Sequence, residues 1–541
     1  MTRLPLLALA AALAAPLAIG ALAGSPSRSQ PPAVVAPVPT PIPADAEDAA
    51  ACTALAGRNF GEAHIESAVF MPADSSFDTG QKRFFGTDTI TVHTAKAFCR
   101  VRGAIEQTIR FELWLPRKAA WNGKLLGAGV GGDAGRFNYD DLPRGVDRGY
   151  AAATTDTGHS ASDVAWMMKG AAILANYTHR ANHLLAVDAK QIITDYYGAA
   201  PQRSYFIGCS GGGRQGLKEM QLYPADYDGV ISGDDGPDTA EMTTRRMWEL
   251  NLRDDHPGLM SPADWKLVSD AGIKACDGQD GLIDGVSENP LQCRFDIATL
   301  LCHGSKRDGR CLTAKQVAFA KQFYAPLVDE NGHKLDDGIL PGVLIDSGRS
   351  QLALGTFGRA IRHDPNWDGQ GFDLARDYAA VNRVMPQLRA NQADLSAFAK
   401  RGGKAILYTG WMDPAVAARM VITYRDRVVA AAGGLQNARR FFRLYMVPGM
   451  YHCAGGPATD QFGGAGGDAP IVDPRHDLLS ALDAWVDKGI APQSIVASEK
   501  RGGKVVRTRP LCPYPQQAHY VGRGSIDDAA NFECKVPSDG T

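Results

Sequence analysis

The chain has 541 residues and a formal net charge of −2, with 45% hydrophobic and 21% charged residues. That balance supports a large buried core and excludes a disordered chain or one whose main partner is a polyanion. The length fits two or three domains or one enlarged fold, and no basic run interleaved with aromatics points to nucleic acid.

Residues 1–23 read as an export signal: Arg3, then an apolar run from Leu4 to Ile19, then Ala21-Leu22-Ala23 as a cleavage site. No later stretch is long and apolar enough to cross a bilayer, so the expected location is periplasmic or extracellular. Residues 24–49 carry Pro31, Pro32, Pro37, Pro39, Pro41 and Pro43 and read as an extended leader, with order expected from about Ala50. The 10 cysteines of an exported chain imply disulfides. Spacing leaves their pairing open, although proximity suggests Cys276–Cys293, Cys302–Cys311 and Cys512–Cys534.

From residue 50 to 236 strands alternate with helices, which predicts a mostly parallel sheet covered on both faces. Short strands are expected between Phe60 and Val101, then Ile109–Leu115, Lys124–Ala128 and Gly149–Thr155, with an amphipathic helix over Arg180–Tyr197. The next strand, Tyr205 to Ile207, enters Gly208-Cys209-Ser210-Gly211-Gly212 and a helix-compatible run follows. This is the G-x-S-x-G elbow pattern, in which a sharp strand-to-helix turn lifts a serine above the sheet edge. Residues 237–400 lose the alternation and read as an inserted lid. The sheet pattern resumes over 401–541, with strands at Ala405–Tyr408 and Arg443–Val447 and a late helix over Asp477–Lys488.

A serine nucleophile needs a base and an acid to orient it, in the chain order Ser, Asp, His. Asp413 follows the strand ending at Tyr408, and His452 follows the strand ending at Val447; His159, His183 and His476 compete for the base. Cys209 adjoins Ser210 and Cys453 adjoins His452. A bond between them would hold elbow and histidine loop together, leaving Cys52 for Cys99. The Gly211 N–H would be one oxyanion donor, and the loop Gly129–Gly135 supplies the second from Gly131 or, preferably, Gly132. In the lid, Phe357, Arg359, Arg362 and Trp367 are candidates for an aromatic wall and a cation that recognise substrate.

Gly208–Gly213, the Asp413 loop and Gly449-Met450-Tyr451-His452-Cys453 resemble the paired motifs of the tannase and feruloyl esterase family, which includes mono(hydroxyethyl) terephthalate hydrolases. The likeness extends to Asp156–His159, Ala186–Lys190, Tyr223–Gly229 and Arg509–Pro515. It implies an α/β-hydrolase core with a large lid, a disulfide beside a Ser210–His452–Asp413 triad, and hydrolysis of aromatic-acid esters. Feruloyl-type esters are the first expectation; galloyl or terephthalate esters, or a catalytically silent binding protein on the same fold, are the alternatives. Asp277, Asp280 and Asp284 could form a hard-cation site or an acidic turn on spacing alone. The resemblance implies Ca²⁺ there, with the carbonyls of Leu282 and Val286 as further ligands. The family segment after the elbow helix is small and apolar in many relatives, whereas Ser232–Gly236 here carries Asp234 and Asp235.

Overall fold

The computed structural model describes residues 44–83, 87–303, 309–346 and 348–537. The export signal and the leader up to residue 43 lie outside them. In chain order the first strands are β1 (Asn59–Phe60), β2 (Ala63–Met71), β3 (Ser75–Lys82), β4 (Thr89–Thr94), β5 (Phe98–Ile105) and β6 (Ile109–Pro116). They are followed by β7 (Lys124–Ala128), β8 (Ala151–Thr155), β9 (Arg203–Cys209), β10 (Gly229–Gly233), β11 (Lys404–Gly410) and β12 (Phe442–Val447).

Burial divides these strands by kind. β2 alternates buried and exposed positions along its first half, so one face meets water. β8, β10 and β12 are buried at every position, as strands covered on both faces must be. Together they form a 10-stranded sheet in the order β1-β2-β5-β6-β8-β7-β9-β10-β11-β12. The wing β1-β2-β5-β6-β8 pairs antiparallel, and β8, β7, β9, β10, β11 and β12 run parallel. β3 and β4 form a separate hairpin.

The crossovers behave as the periodicity predicts. The helix Ala181–Tyr197 leads into β9, and the helix Gly211–Leu222 leads out of it. Order begins earlier than expected, with a helix over Ala44–Thr53. Its Asp48 is buried and accepts from Arg117 Nε at 3.0 Å, and its Cys52 is bonded to Cys99. Residues 495–535 add two hairpins, β13 (Ile495–Arg501) with β14 (Lys504–Leu511) and β15 (Gln517–Tyr520) with β16 (Phe532–Lys535).

β10 and β11 are sheet neighbours, yet 170 residues of sequence separate Gly233 from Lys404. Among the described residues this insertion contributes no strand to the large sheet. Its two ends meet at a neck: Ala390 N donates to Pro237 O at 2.8 Å, and Asp238 pairs with Arg389 both as a bridge and through Arg389 Nε at 3.0 Å. The insertion builds one core around Trp265, Phe319 and Phe323. A second cluster joins its Met247, Phe357 and Leu388 to Val130, Ala134, Trp166 and Tyr177 of the sheet side.

A Cβ added at Gly208 would lie 2.5 Å from the Gly212 carbonyl atoms, and one at Gly212 would lie 2.8 Å from the Gly129 carbonyl carbon. The elbow glycines therefore serve close backbone approach between β9, its helix and the loop after β7. Gly208→Ala is expected to lower stability by about 1–3 kcal/mol through overpacking, measured by urea unfolding.

Candidate active site

Ser210 sits at the turn from β9 into the helix Gly211–Leu222, with φ 59° and ψ −123°. The left-handed backbone that the motif demands falls on the serine itself, at a cost of about 1–3 kcal/mol. Two hydrogen bonds hold it there: Ser210 N donates to Gly233 O and Arg214 N donates to Ser210 O, both at 2.9 Å. The loop after β7 lies directly against this turn. A Cβ on Gly211 would stand 2.7 Å from Gly132 O and 3.1 Å from Gly132 N. Gln215, on the elbow helix, pins that loop by accepting from Val130 N at 3.0 Å and donating to Val130 O at 3.2 Å. Tyr177 Oη donates to Gly132 O at 3.3 Å. No pattern in the sequence marked Gln215 or Tyr177 for this task.

Asp413 and His452 occupy the loops after β11 and β12. Asp413 is buried; its Oδ1 accepts from Ala415 N at 2.6 Å and Val416 N at 3.0 Å, while Oδ2 lies 2.7 Å from His452 Nδ1. Burial disfavours a charged imidazole, but the Asp413 charge and hydrogen bond outweigh it. With Asp234 adding to them and Arg246 opposing, His452 is raised to about 9. Cys209 is bonded to Cys453 with Cα atoms 5.9 Å apart. The bond thus places the backbone of Ser210 and that of His452 one residue either side of a common covalent link.

The remaining cysteines pair as Cys276–Cys293, Cys302–Cys311 and Cys512–Cys534. The competing histidines have other partners. His159 Nε2 lies 2.8 Å from Asp133 O and its ring stacks on Trp166, where burial lowers it to about 4. His183 pairs with Asp226 at 2.6 Å and His476 with Asp473 at 2.8 Å.

The lid candidates separate as well. Phe357 is fully buried and packs edge-on against Phe372, so in this structure it is core and presents no wall to a substrate. Arg362 stacks over Trp367 at 4.0 Å and pairs at 2.6 Å with Asp377, a carboxylate it shares with Arg376. Arg359 is the member whose charge reaches the Asp133 carboxylate, beside Gly132. A cleft next to Asp413 is lined by Met242, Arg246, Leu340, Trp411, Pro414 and Ala415, none of which the sequence marked as a substrate contact.

In the acidic loop, Asp277 Oδ1 accepts from the amides of Asp284, Gly285 and Val286, and Asp280 Oδ1 accepts from Leu282 N. Arg509 of β14 pairs with Asp284. Burial, with Asp284 and Asp277 near, raises Asp280 to about 6; burial also raises Glu288 to about 8. Three aspartates and Glu288 thus gather around the guanidinium of Arg509.

The family model described as tannase and feruloyl esterase matches residues 92–342 and 352–535. The chain belongs to this family. An uncharacterized esterase of Xanthomonas campestris pv. campestris is 35% identical over 540 residues, covering 90% of this chain and 92% of that protein. A protein named probable feruloyl esterase B, of Aspergillus clavatus, is 28% identical over 490 residues, covering 87% of this chain and 92% of that one. The crystal structure of feruloyl esterase B from Aspergillus oryzae superposes with a TM-score of 0.84 at 28% identity, over 90% of this chain and all of that one. The shared fold is the α/β-hydrolase fold, and this member of the family is a carboxylic ester hydrolase.

The raised imidazole is directly measurable. By NMR, His452 is expected to titrate near pH 9, and Asp413→Asn should return it toward the ordinary 6.5. The same shift stabilises the folded chain: the contribution is complete below pH 6.5 and is lost as pH rises through about 9.

Proposed function

We propose that Ser210 is the nucleophile of this esterase, His452 its general base and Asp413 the acid that orients the imidazole. The observation that carries this reading is the 2.7 Å contact between His452 Nδ1 and Asp413 Oδ2, on a loop covalently tied to the serine's own turn. With Nδ1 held by Asp413, Nε2 is the nitrogen left to take the Ser210 proton. Oγ attacks the ester carbonyl, and the N–H groups of Gly211 and Gly132 receive the developing oxyanion. The imidazolium then protonates the departing alcohol, and water, activated by the same nitrogen, releases the acid.

The substrate class we infer is esters of aromatic, hydroxycinnamic or phenolic acids. The names of the relatives support it. Galloyl and terephthalate monoesters are the neighbouring chemistries within the class. We also infer export to the periplasm or beyond, which five disulfides favour. Among the described residues no helix is long and apolar enough to cross a membrane.

Ca²⁺ is the cation we assign to the loop around Asp277, Asp280 and Asp284, with the Leu282 and Val286 carbonyls. The donors are of the kind a hard ion takes, carboxylate and carbonyl oxygens on one short loop. Its role is structural, bracing the insertion against β14.

Ser210→Ala should reduce hydrolysis of p-nitrophenyl acetate by at least about 10³-fold with an unchanged unfolding temperature; full activity in that variant removes the nucleophile assignment. Specificity is read from kcat/KM on methyl ferulate, methyl gallate and a terephthalate monoester, with methyl ferulate expected to lead. Chelation with EGTA should lower the unfolding temperature, and excess Ca²⁺ should restore it. An unaltered melting curve counts against the ion.

A further inference from the structure

We propose that Asp234 is a positioning residue of the active site, fixing the acid loop and the histidine loop to each other and holding negative charge beside His452. The proposal rests on the roles given above to His452 and Asp413. Asp234 follows directly on β10, where the chain leaves for the insertion, with φ 36° and its N–H donated to Tyr408 O at 2.9 Å. Its side chain is fully buried among groups that are remote in sequence. Oδ1 accepts from Gly410 N, at the start of the Asp413 loop, at 2.9 Å. Oδ2 accepts from Cys453 N at 2.8 Å and lies 3.7 Å from Cys209 Sγ. One carboxylate thus touches all three segments that carry the triad.

The charge is placed as well as the backbone. An oxygen of Asp234, an oxygen of Asp413 and a ring nitrogen of His452 lie within 4.8 Å of one another. Burial and the Asp413 charge leave Asp234 well above the usual carboxylate range, the His452 charge and the two amides opposing them only in part. Against burial, the geometry favours the ionised form: both oxygens accept amide protons, and the imidazole lies beside them. The other charged or titratable groups facing this pair are Tyr408, whose hydroxyl accepts from Ala465 N at 2.9 Å, and Arg246, which opposes charge on His452. Asp235 is turned away, accepting from Ser232 Oγ at 3.0 Å. When the imidazole takes the serine proton, the cation forms between two carboxylates rather than beside one.

The test is an NMR titration of His452 in the wild type, Asp234→Asn, Asp234→Ala and the control Asp235→Asn, with kcat and KM followed against pH on p-nitrophenyl acetate. Loss of the neighbouring charge should lower the imidazole pKa by about 1–3 units in both Asp234 variants. The acidic limb of kcat/KM should move down by the same amount. Plateau kcat should fall about tenfold or more in Asp234→Ala, with KM little changed. An imidazole that titrates as in the wild type in a folded Asp234 variant overturns the proposal. So does an equal shift in Asp235→Asn, and so does loss of the fold in both Asp234 variants, which assigns the residue to structure alone. A wild type inactive on every ester would sink the esterase reading instead, and the imidazole titration would still decide Asp234.

Discussion

The geometry of the site depends on one covalent constraint, the bond between Cys209 and Cys453. It joins positions 244 residues apart, each adjoining a residue of the proposed triad. A strained serine and an imidazole on a separate loop would otherwise rely on weak, non-covalent loop packing. Asp234 reinforces the same junction from the buried side, accepting the amide of Cys453 itself. Oxidised sulfur and a buried carboxylate therefore act on one backbone segment from two directions.

The parallel sheet explains why these groups converge. β9, β11 and β12 end at the same edge, and each delivers its loop there: Ser210, Asp413 and His452 in turn. Crevices beyond the carboxyl ends of parallel strands are where such folds place ligands. The loop after β7 completes the set because glycines let it approach the elbow closely, and Gln215 fastens it to the helix that begins at the serine. The insertion then packs on this loop, Val130 and Ala134 sharing one apolar cluster with its Met247 and Phe357.

Much of this was legible in the sequence because it is local. The buried parallel strands are short, continuous apolar runs, and Lys124–Ala128 has the same limits in sequence pattern and structure. Turn residues after β11 and β12 marked Asp413 and His452 as loop side chains. What escaped is set by long-range packing. The helix Ala44–Thr53 looks like leader because its anchors, Arg117 and Cys99, lie far along the chain. The hairpins β13–β14 and β15–β16 carry mixed polar strands with no clean period. Phe357 reads equally as a substrate wall or as lid packing, and only the packing of the insertion shows it buried. Asp234 and Asp235 are adjacent acids with no local signal to separate them; their partners, Cys453 for one and Ser232 for the other, do that.

The neck at Pro237–Asp238 and Arg389–Ala390 has a consequence for how the insertion could be exchanged. Because the two chain crossings are hydrogen-bonded to each other there, residues 239–388 form a cassette whose ends already sit side by side. Residues 391–403 belong to the scaffold instead: Leu395 and Phe398 pack with Leu407 and Phe442 of the sheet. A recombinant that exchanges the cassette at the neck would keep the register of β10 against β11, because both crossings are closed before the exchanged residues begin.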